Sequence, residues 1–311
     1  MKCVLVAGEI NVDLVLGGCS GMPQADAEIL ATSFHQVPGS SSMICAMGLA
    51  RLGRHVLFAG RAGDDAHGAF CVQAMRAAGI DTAAVRRDAS LSTGVTVAIS
   101  TAADRGLVTF PGSIAALDAA DVDAALLGRA DHLHVSSLYL QTRLRPHLPA
   151  LFARARAAGM SVSLDPGFDP AQDWGDASEW RRLLADVDLF LPSRREALAI
   201  TGCGDVAGAL EILDNGHTRT VVKCSTDGAI TRDAQGRLLP VPTRPPTTVC
   251  DSTGAGDSFN AGFLHAWLDG FALEDCLRHG NACGSLSTRG MGGTATQPDA
   301  AEVRAWLEGG A

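Results

Sequence analysis

One short stretch of this 311-residue chain concentrates residues able to do chemistry. Residues 249–262 read VCDSTGAGDSFNAG: a strand-like run ending at Asp251, a tight Ser-Thr-Gly-Ala-Gly turn, and a helix starting at about Asp257. Glycines at a helix N-terminus let successive backbone N–H groups converge without interference from Cβ atoms. The helix dipole adds partial positive charge there, so the turn is suited to holding an anion. A carboxylate at that place would repel a bound phosphate. Asp257 makes sense if the negative charge develops on a phosphoryl group in transfer, the carboxylate accepting the proton of the attacking hydroxyl. The simpler reading is an Asp N-cap after a glycine turn. Two aspartates framing Gly254-Ala255-Gly256 weigh toward chemistry.

The remaining reactive side chains exclude more than they suggest. Lys2 and Lys223 are the only lysines and neither follows a glycine, which rules out a P-loop. The motif set of a protein kinase is absent as well. Lys223, inside an apolar run, is expected to send its amine to the sheet edge rather than form a Schiff base. His132 and His134 alternate on a strand, but no third ligand is spaced to join them, so packing or a strand end at a cleft is expected. Nine cysteines occur without a Cys-x-x-Cys pair, as small core residues in a reducing compartment would. Arg86-Arg87, Arg181-Arg182 and Arg194-Arg195 read as solvated faces, able to meet a phosphate on a phosphosugar. The net charge of −9 without a basic run is a poor footprint for nucleic acid. The N-terminus reaches Glu9 too soon for a signal peptide, and no apolar run approaches the roughly 20 residues of a membrane helix. A cytoplasmic protein is expected.

The elements that must position these groups follow from periodicity. Cys3–Ala7, His132–Val135, Ser161–Leu164 and residues 56–59, 189–191 and 220–223 read as buried strands. Helical patterns fall at 43–52, 68–78, 144–158, 179–185, 197–201 and 206–213. This alternation predicts βαβ units, hence a three-layer α/β/α domain on a central, mostly parallel sheet spanning 1–311 as one domain. Two segments break the rhythm. Residues 13–37 are irregular with a strand-like end, and 94–110 read as a hairpin turning at Asp104-Arg105-Gly106. Together they predict a small antiparallel β lid. A second hairpin is expected over 229–241, turning near Gln235-Gly236, then two packed helices over 257–286 and a last helix over 300–307.

The run Asp251-Ser-Thr-Gly-Ala-Gly-Asp257-Ser-Phe-x-x-Gly262 resembles the C-terminal signature of the ribokinase-like (PfkB) carbohydrate kinases. Further pieces follow in the family's order across almost the whole chain. They are Gly8-Glu-Ile-Asn-Val-Asp13, Pro38-Gly-Ser-Ser-Ser-Met-Ile-Cys-Ala46, Gly60-Arg-Ala-Gly-Asp-Asp-Ala-His-Gly68, Leu191-Pro-Ser-Arg-Arg-Glu196, Val221-Val-Lys-Cys-Ser-Thr-Asp-Gly-Ala229 and Gly290-Met-Gly-Gly293. The resemblance implies the ribokinase-like fold and transfer of the γ-phosphoryl group of ATP to a hydroxymethyl group of a sugar. It implies Asp257 as base, and the amides of Gly254, Ala255 and Gly256 as the anion hole. Asn11 and Asp13 would bind substrate hydroxyls, with Gly39 and Ser40 letting backbone approach the sugar. Ser193, Lys223, Cys224, Ser225, Asp227, Gly228 and Asn281 would surround the nucleotide. Glu196 would organise Mg²⁺ through water. Asp251, with the carbonyls of Thr253, Ser287 and Gly292, is a candidate site for a monovalent cation such as K⁺.

Three departures bear on the substrate rather than the chemistry. Ile44 replaces an Asn directed at the sugar, which predicts an apolar wall. Ser193 replaces the Asn of Pro-Asn-x-x-Glu and would need a bridging water. Gly167 replaces the Asn commonly found after Asp-Pro. A lid would exclude water from the reaction, and its apolar face and edge predict a homodimer. The rival readings are a nucleoside kinase, for which Phe110 and Phe168 are the available stacking rings, and a sugar or nucleotide sensor without catalysis.

Overall fold

A computed structural model describes residues 1–101 and 105–309. The chain opens with β1 (Cys3–Ala7), β2 (Asn11–Cys19), β3 (Ser33–Pro38) and α1 (Ser41–Arg51). Next come β4 (His55–Gly63), α2 (Ala66–Ala77), β5 (Asp81–Asp88), β6 (Gly94–Thr101) and β7 (Arg105–Phe110). The middle carries α3 (Ala124–Leu127), β8 (His132–Val135), α4 (Leu148–Ala157), β9 (Ser161–Leu164), α5 (Ala177–Leu183), β10 (Leu189–Phe190), α6 (Arg194–Thr201) and α7 (Val206–Ile212). The last third holds β11 (Arg219–Thr220), β12 (Val222–Lys223), β13 (Ala229–Arg232), β14 (Leu238–Val241), α8 (Ala255–Leu268), α9 (Leu273–Ser287) and α10 (Ala300–Glu308).

Seven strands form one parallel sheet in the order β11-β10-β9-β8-β1-β4-β5. Strands β1 and β4 are apolar on both faces over Val4–Ala7 and Val56–Ala59, as a sheet covered by helices on either side requires, whereas one face of β8 and β9 carries His132, His134, Ser161 and Ser163. Val4 and Val6 of β1 enter one core with Met43 and Leu49 of α1 and Phe263 of α8. Leu5 and Ala7 point the other way, against Leu151 and Phe152 of α4 and Trp180 of α5. This is the expected three-layer α/β/α architecture.

The differences from expectation are local and have local causes. The apolar run at 220–223 is divided: β11 joins the large sheet, while β12 pairs with β13 in a three-stranded sheet completed by β14. The helix expected from 144 begins as a 3-10 turn, Arg145–His147, and becomes α4 at Leu148; Pro149 lacks the N–H that an α-helix starting at 144 would bond to the carbonyl of residue 145. Edge strand β5 carries Arg86 and Arg87 and has no apolar run to betray it. Arg86 reaches the buried Asp121, so it is not merely solvated.

The lid is a four-stranded sheet, β3-β2-β6-β7. β2 with β3, and β6 with β7, are antiparallel pairs, joined by a parallel contact between β2 and β6. Strand β2 begins at Asn11 and runs to Cys19, so much of the segment read as irregular is extended, with a register shift between Leu16 and Cys19. Of the expected hairpin turn, Asp104 lies outside the described residues. The hairpin of β13 and β14 closes as expected, with Gly236 in the left-handed region at φ 75°. Among the described residues, no helix is long and apolar enough to cross a membrane.

Candidate active site

The candidate anion turn opens α8. Gly254 is its N-cap with φ 71°, a left-handed conformation that L side chains disfavour. A Cβ there would also stand 2.7 Å from Gly293 Cα and 3.0 Å from Ile44 Cγ2. Ile44 thus lies against the turn. It is buried, with its side chain wedged under the turn and against Gly293. Asp257 lies in the first turn of the helix and hydrogen-bonds the Ser41 side chain. Burial, with the charges of Asp165 and Glu9 beside it and Lys223 opposing, raises its pKa to about 7.

Lys223 faces the middle of this site, not the sheet edge. Its Nζ is 2.5 Å from Asp165 Oδ2 and 3.3 Å from Asn260 Oδ1. Asn260 Nδ2 donates to the same Asp165 oxygen, and the Gly167 amide donates to the other at 3.0 Å. Burial works against both charges, yet each stabilises the other, so Asp165 lies below the usual carboxylate value and Lys223 above the usual lysine value. Asp165 and Asn260 were not among the candidates. They stand 95 residues apart, and no spacing rule joins them.

Glu196 and Ser193 form a reciprocal capping box at the start of α6: the Ser193 amide donates to Glu196 Oε2 at 2.7 Å, and the Glu196 amide to Ser193 Oγ at 3.3 Å. Burial, reinforced by Asp165, raises the Glu196 pKa while Lys223 opposes. A parallel bridge between Ser193 and Lys223 brings this cap to the same centre.

Beside the turn lies a cleft of about 210 Å³. Its lining includes Lys223, Ser225, Gly228, Asn281, Pro246 and Gly256. Cys224 is excluded: its side chain turns inward to a small cluster with Ala197, Ala209 and Leu210. Asp227 does not line the cleft and pairs with Arg194 at 2.7 Å. Asn281 is buried and donates to the carbonyl of Val241 at 2.9 Å, which fixes the end of β14 against the cleft.

Asn11, Asp13 and Gly39, the candidates for an acceptor end, come together. Asn11 Nδ2 donates to Asp13 Oδ1 at 2.9 Å and to Thr96 Oγ1 at 3.1 Å. A Cβ on Gly39 would fall 2.0 Å from Asp13 Oδ1, so only glycine lets the chain pass. Burial raises Asp13 to about 6, with Asn11 and Arg105 opposing. The Ser40 hydroxyl is occupied structurally, accepting from the Met43 amide and donating to the Glu9 carbonyl.

Asp251, Thr253 and Gly292 do converge. Asp251 accepts from the Thr253 amide and hydroxyl and from the Gly292 amide at 2.9 Å. Burial works against its charge, but these bonds and Arg105 hold its pKa below the usual value. The Ser287 carbonyl accepts from Thr296 Oγ1 at 2.8 Å. Arg105, from lid strand β7, reaches Asp251 Oδ1 at 3.3 Å and the Thr253 hydroxyl, a contact no sequence pattern announced.

A doubly wound α/β sheet with an acidic group on an anion-binding helix terminus is the layout of a phosphotransferase with an alcohol acceptor. The family model of pfkB family carbohydrate kinases matches residues 1–300, and the chain belongs to that family. It is 32% identical to an ATP-dependent ribose-1-phosphate kinase of Halopiger xanaduensis, over 99% of this chain and 98% of that protein. It is 30% identical to a fructokinase of Klebsiella pneumoniae, over 95% and 96%. An Arabidopsis thaliana ribokinase solved with ribose and ATP superposes with a TM-score of 0.84 at 23% identity, covering 99% of both chains.

Proposed function

We propose that this protein transfers the γ-phosphoryl group of ATP to a hydroxymethyl group of a small carbohydrate. The observation that carries this reading is Asp257: a buried carboxyl on the first turn of α8, poised at a pKa of about 7 and hydrogen-bonded to Ser41. In its ionised form it takes the acceptor proton as the oxygen attacks phosphorus. The amides of Gly254, Ala255 and Gly256 meet the charge of the transferring group, and the Lys223 ammonium, 3.6 Å from where a Gly256 Cβ would stand, adds a fixed positive charge beside them.

The cleft fits a nucleotide: prolines and Phe259 for an adenine face, then small residues leading to the anion turn. Glu196 fits Mg²⁺, a hard ion that keeps most of its shell as water and phosphate oxygen and needs one or two protein carboxylates. The ion would neutralise phosphate charge. Asp251 with Thr253, Gly292 and Ser287 remains the candidate site for K⁺. Asn11 and Asp13 would bind acceptor hydroxyls, and the exposed apolar residues Phe34, Leu107, Val108 and Phe110 on the lid would pair with a second copy.

The ribose-1-phosphate kinase and the fructokinase among the relatives point to sugar acceptors, phosphorylated or not. The test is ADP release with ATP-Mg²⁺ over ribose, ribose 1-phosphate, fructose and nucleosides. Saturable turnover of a sugar or sugar phosphate is expected. Preference for a nucleoside, or binding without any ADP release, would overturn the reading.

A further inference from the structure

Behind Asn11 and Gly39, a continuous string of polar groups, most of them buried, runs along strands β8 and β9. Glu9, only 2% exposed, accepts or donates at the Ser42 hydroxyl through Oε2, and the Ser42 amide donates to Oε1 at 3.2 Å. Ser42 Oγ lies 3.2 Å from Ser136 Oγ, which lies 3.3 Å from His134 Nε2. His134 Nδ1 is 2.7 Å from Ser163 Oγ, and Ser163 is 2.7 Å from His132 Nε2. His132 Nδ1 reaches Ser161 Oγ at 2.8 Å, and the Ser161 hydroxyl donates to the Asp131 carbonyl at 3.5 Å, where the chain reaches exposed surface. Ser42, Ser136, Ser163 and both histidines are buried. A Cβ on Gly8 would sit 1.9 Å from Ser42 Oγ, so the backbone leaves room for this contact.

Every member can both accept and donate a hydrogen bond. A carbonyl can only accept, so the Asp131 end fixes the direction of the whole string. Ser161 donates to Asp131 and accepts from His132 Nδ1–H. His132 Nε2 then accepts from Ser163, which accepts from His134 Nδ1–H. His134 Nε2 accepts from Ser136, Ser136 from Ser42, and Ser42 from a protonated Glu9. One arrangement satisfies all seven links, with both imidazoles neutral. Burial drives all three titratable members the same way, holding Glu9 above the usual carboxylate value and both histidines below theirs.

We propose that Glu9, Ser42, Ser136, His134, Ser163, His132 and Ser161 form a proton relay from the acceptor end of the site to the N-terminal ends of strands β8 and β9. The proposal rests on Asp257 as the base. Phosphoryl transfer leaves the acceptor proton on Asp257, whose partner Ser41 precedes Ser42 on the same helical turn. As a proton reaches Glu9, each member breaks one O–H or N–H bond and forms another. The proton enters on Glu9 Oε1 as Oε2 gives up its own to Ser42, and Ser161, turning its hydroxyl from the Asp131 carbonyl, releases one to water.

Two measurements test this. Without any acceptor, ¹⁵N NMR should find His132 and His134 as Nδ1–H tautomers at pH 7, and the infrared difference against Glu9→Gln should contain a protonated-carboxyl stretch. Nε2–H tautomers or an ionised Glu9 would overturn the arrangement. In single turnovers of the best acceptor from the panel above, Ser163→Ala should form ADP at nearly the normal rate. Its proton release, followed with a pH indicator, should lag about tenfold, and Ser163→Thr should restore it. Ser161→Ala, at the half-buried exit, repeats the test should the deeper variant not fold. Proton release in step with ADP in these alanine variants sinks the relay. Loss of the ADP burst in Asp257→Asn concerns the base alone.

Discussion

At the α8 end of the cleft, Gly254, Gly256, Asp257 and Asn260 lie within two turns of one helix, whereas Asn11, Gly39 and Thr96 at the acceptor end come from three separate segments. The first arrangement is held by a helix terminus and a buried ion pair, the second by a strand that continues into the lid. On the proposed function, chemistry would thereby be kept on a rigid, locally encoded element, and recognition on parts that can be exchanged without disturbing it.

The comparison breaks most visibly at Asp257. Asp257→Asn should lower kcat by about 10³-fold while nucleotide affinity, measured by calorimetry, stays within twofold. The pH dependence carries the same residue's signature. Activity should rise with pH through about 7, as Asp257 ionises. Stability should move the other way: with the folded pKa raised above the ordinary 3.8, the folded state binds more protons across that window, so unfolding free energy falls as pH rises. Denaturant titrations at pH 5 and 8 should show this slope shrink in Asp257→Asn.

Lys223→Met comes next. It strands the Asp165 charge in the interior, at a cost of about 3–5 kcal/mol. A double variant, Lys223→Met with Asp165→Leu, should regain much of the thermal stability and none of the activity. Failure to regain stability would mean that Asn260 and Glu196, not the lost charge, set the cost. At the acceptor end, Asp13→Asn should raise KM for the acceptor about tenfold, since a charged hydrogen bond contributes about 1.5–3 kcal/mol, and leave KM for ATP unchanged. Smallest is Arg105→Gln, with an expected change in acceptor KM of about threefold, the scale of a partly exposed ion pair. A larger effect on ATP than on the acceptor would move Arg105 from one end of the comparison to the other.

Legibility in the sequence follows the same division. Residues 249–262 announce themselves because the turn, the helix and the acid are contiguous, and the central strands do so through their apolar runs. Asp165 and Lys223 were invisible as a pair, because 58 residues separate them and each reads separately as a polar strand end. Ile44 lies beside Gly254 and Gly293, a neighbourhood that its place in the motif does not disclose. Strand β5 was missed because an edge strand need not be apolar, and Cys224 because a strand alternates its faces. The string from Glu9 to Ser161 is spread over four segments, with only the two histidines giving a hint.

Strand β2 also constrains how such a protein can change over generations. Asn11 and Asp13 occupy its first residues, in register with Gly94 and Thr96, and alternate side chains point to opposite faces. Insertion or loss of one residue between Asp13 and Leu16 would turn either the acceptor contacts or the lid face inside out. The register shift between Leu16 and Cys19 is where length can vary harmlessly. New acceptor preferences should therefore arise by substitution near Asn11 and Asp13, and differences in lid length should accumulate beyond Leu16.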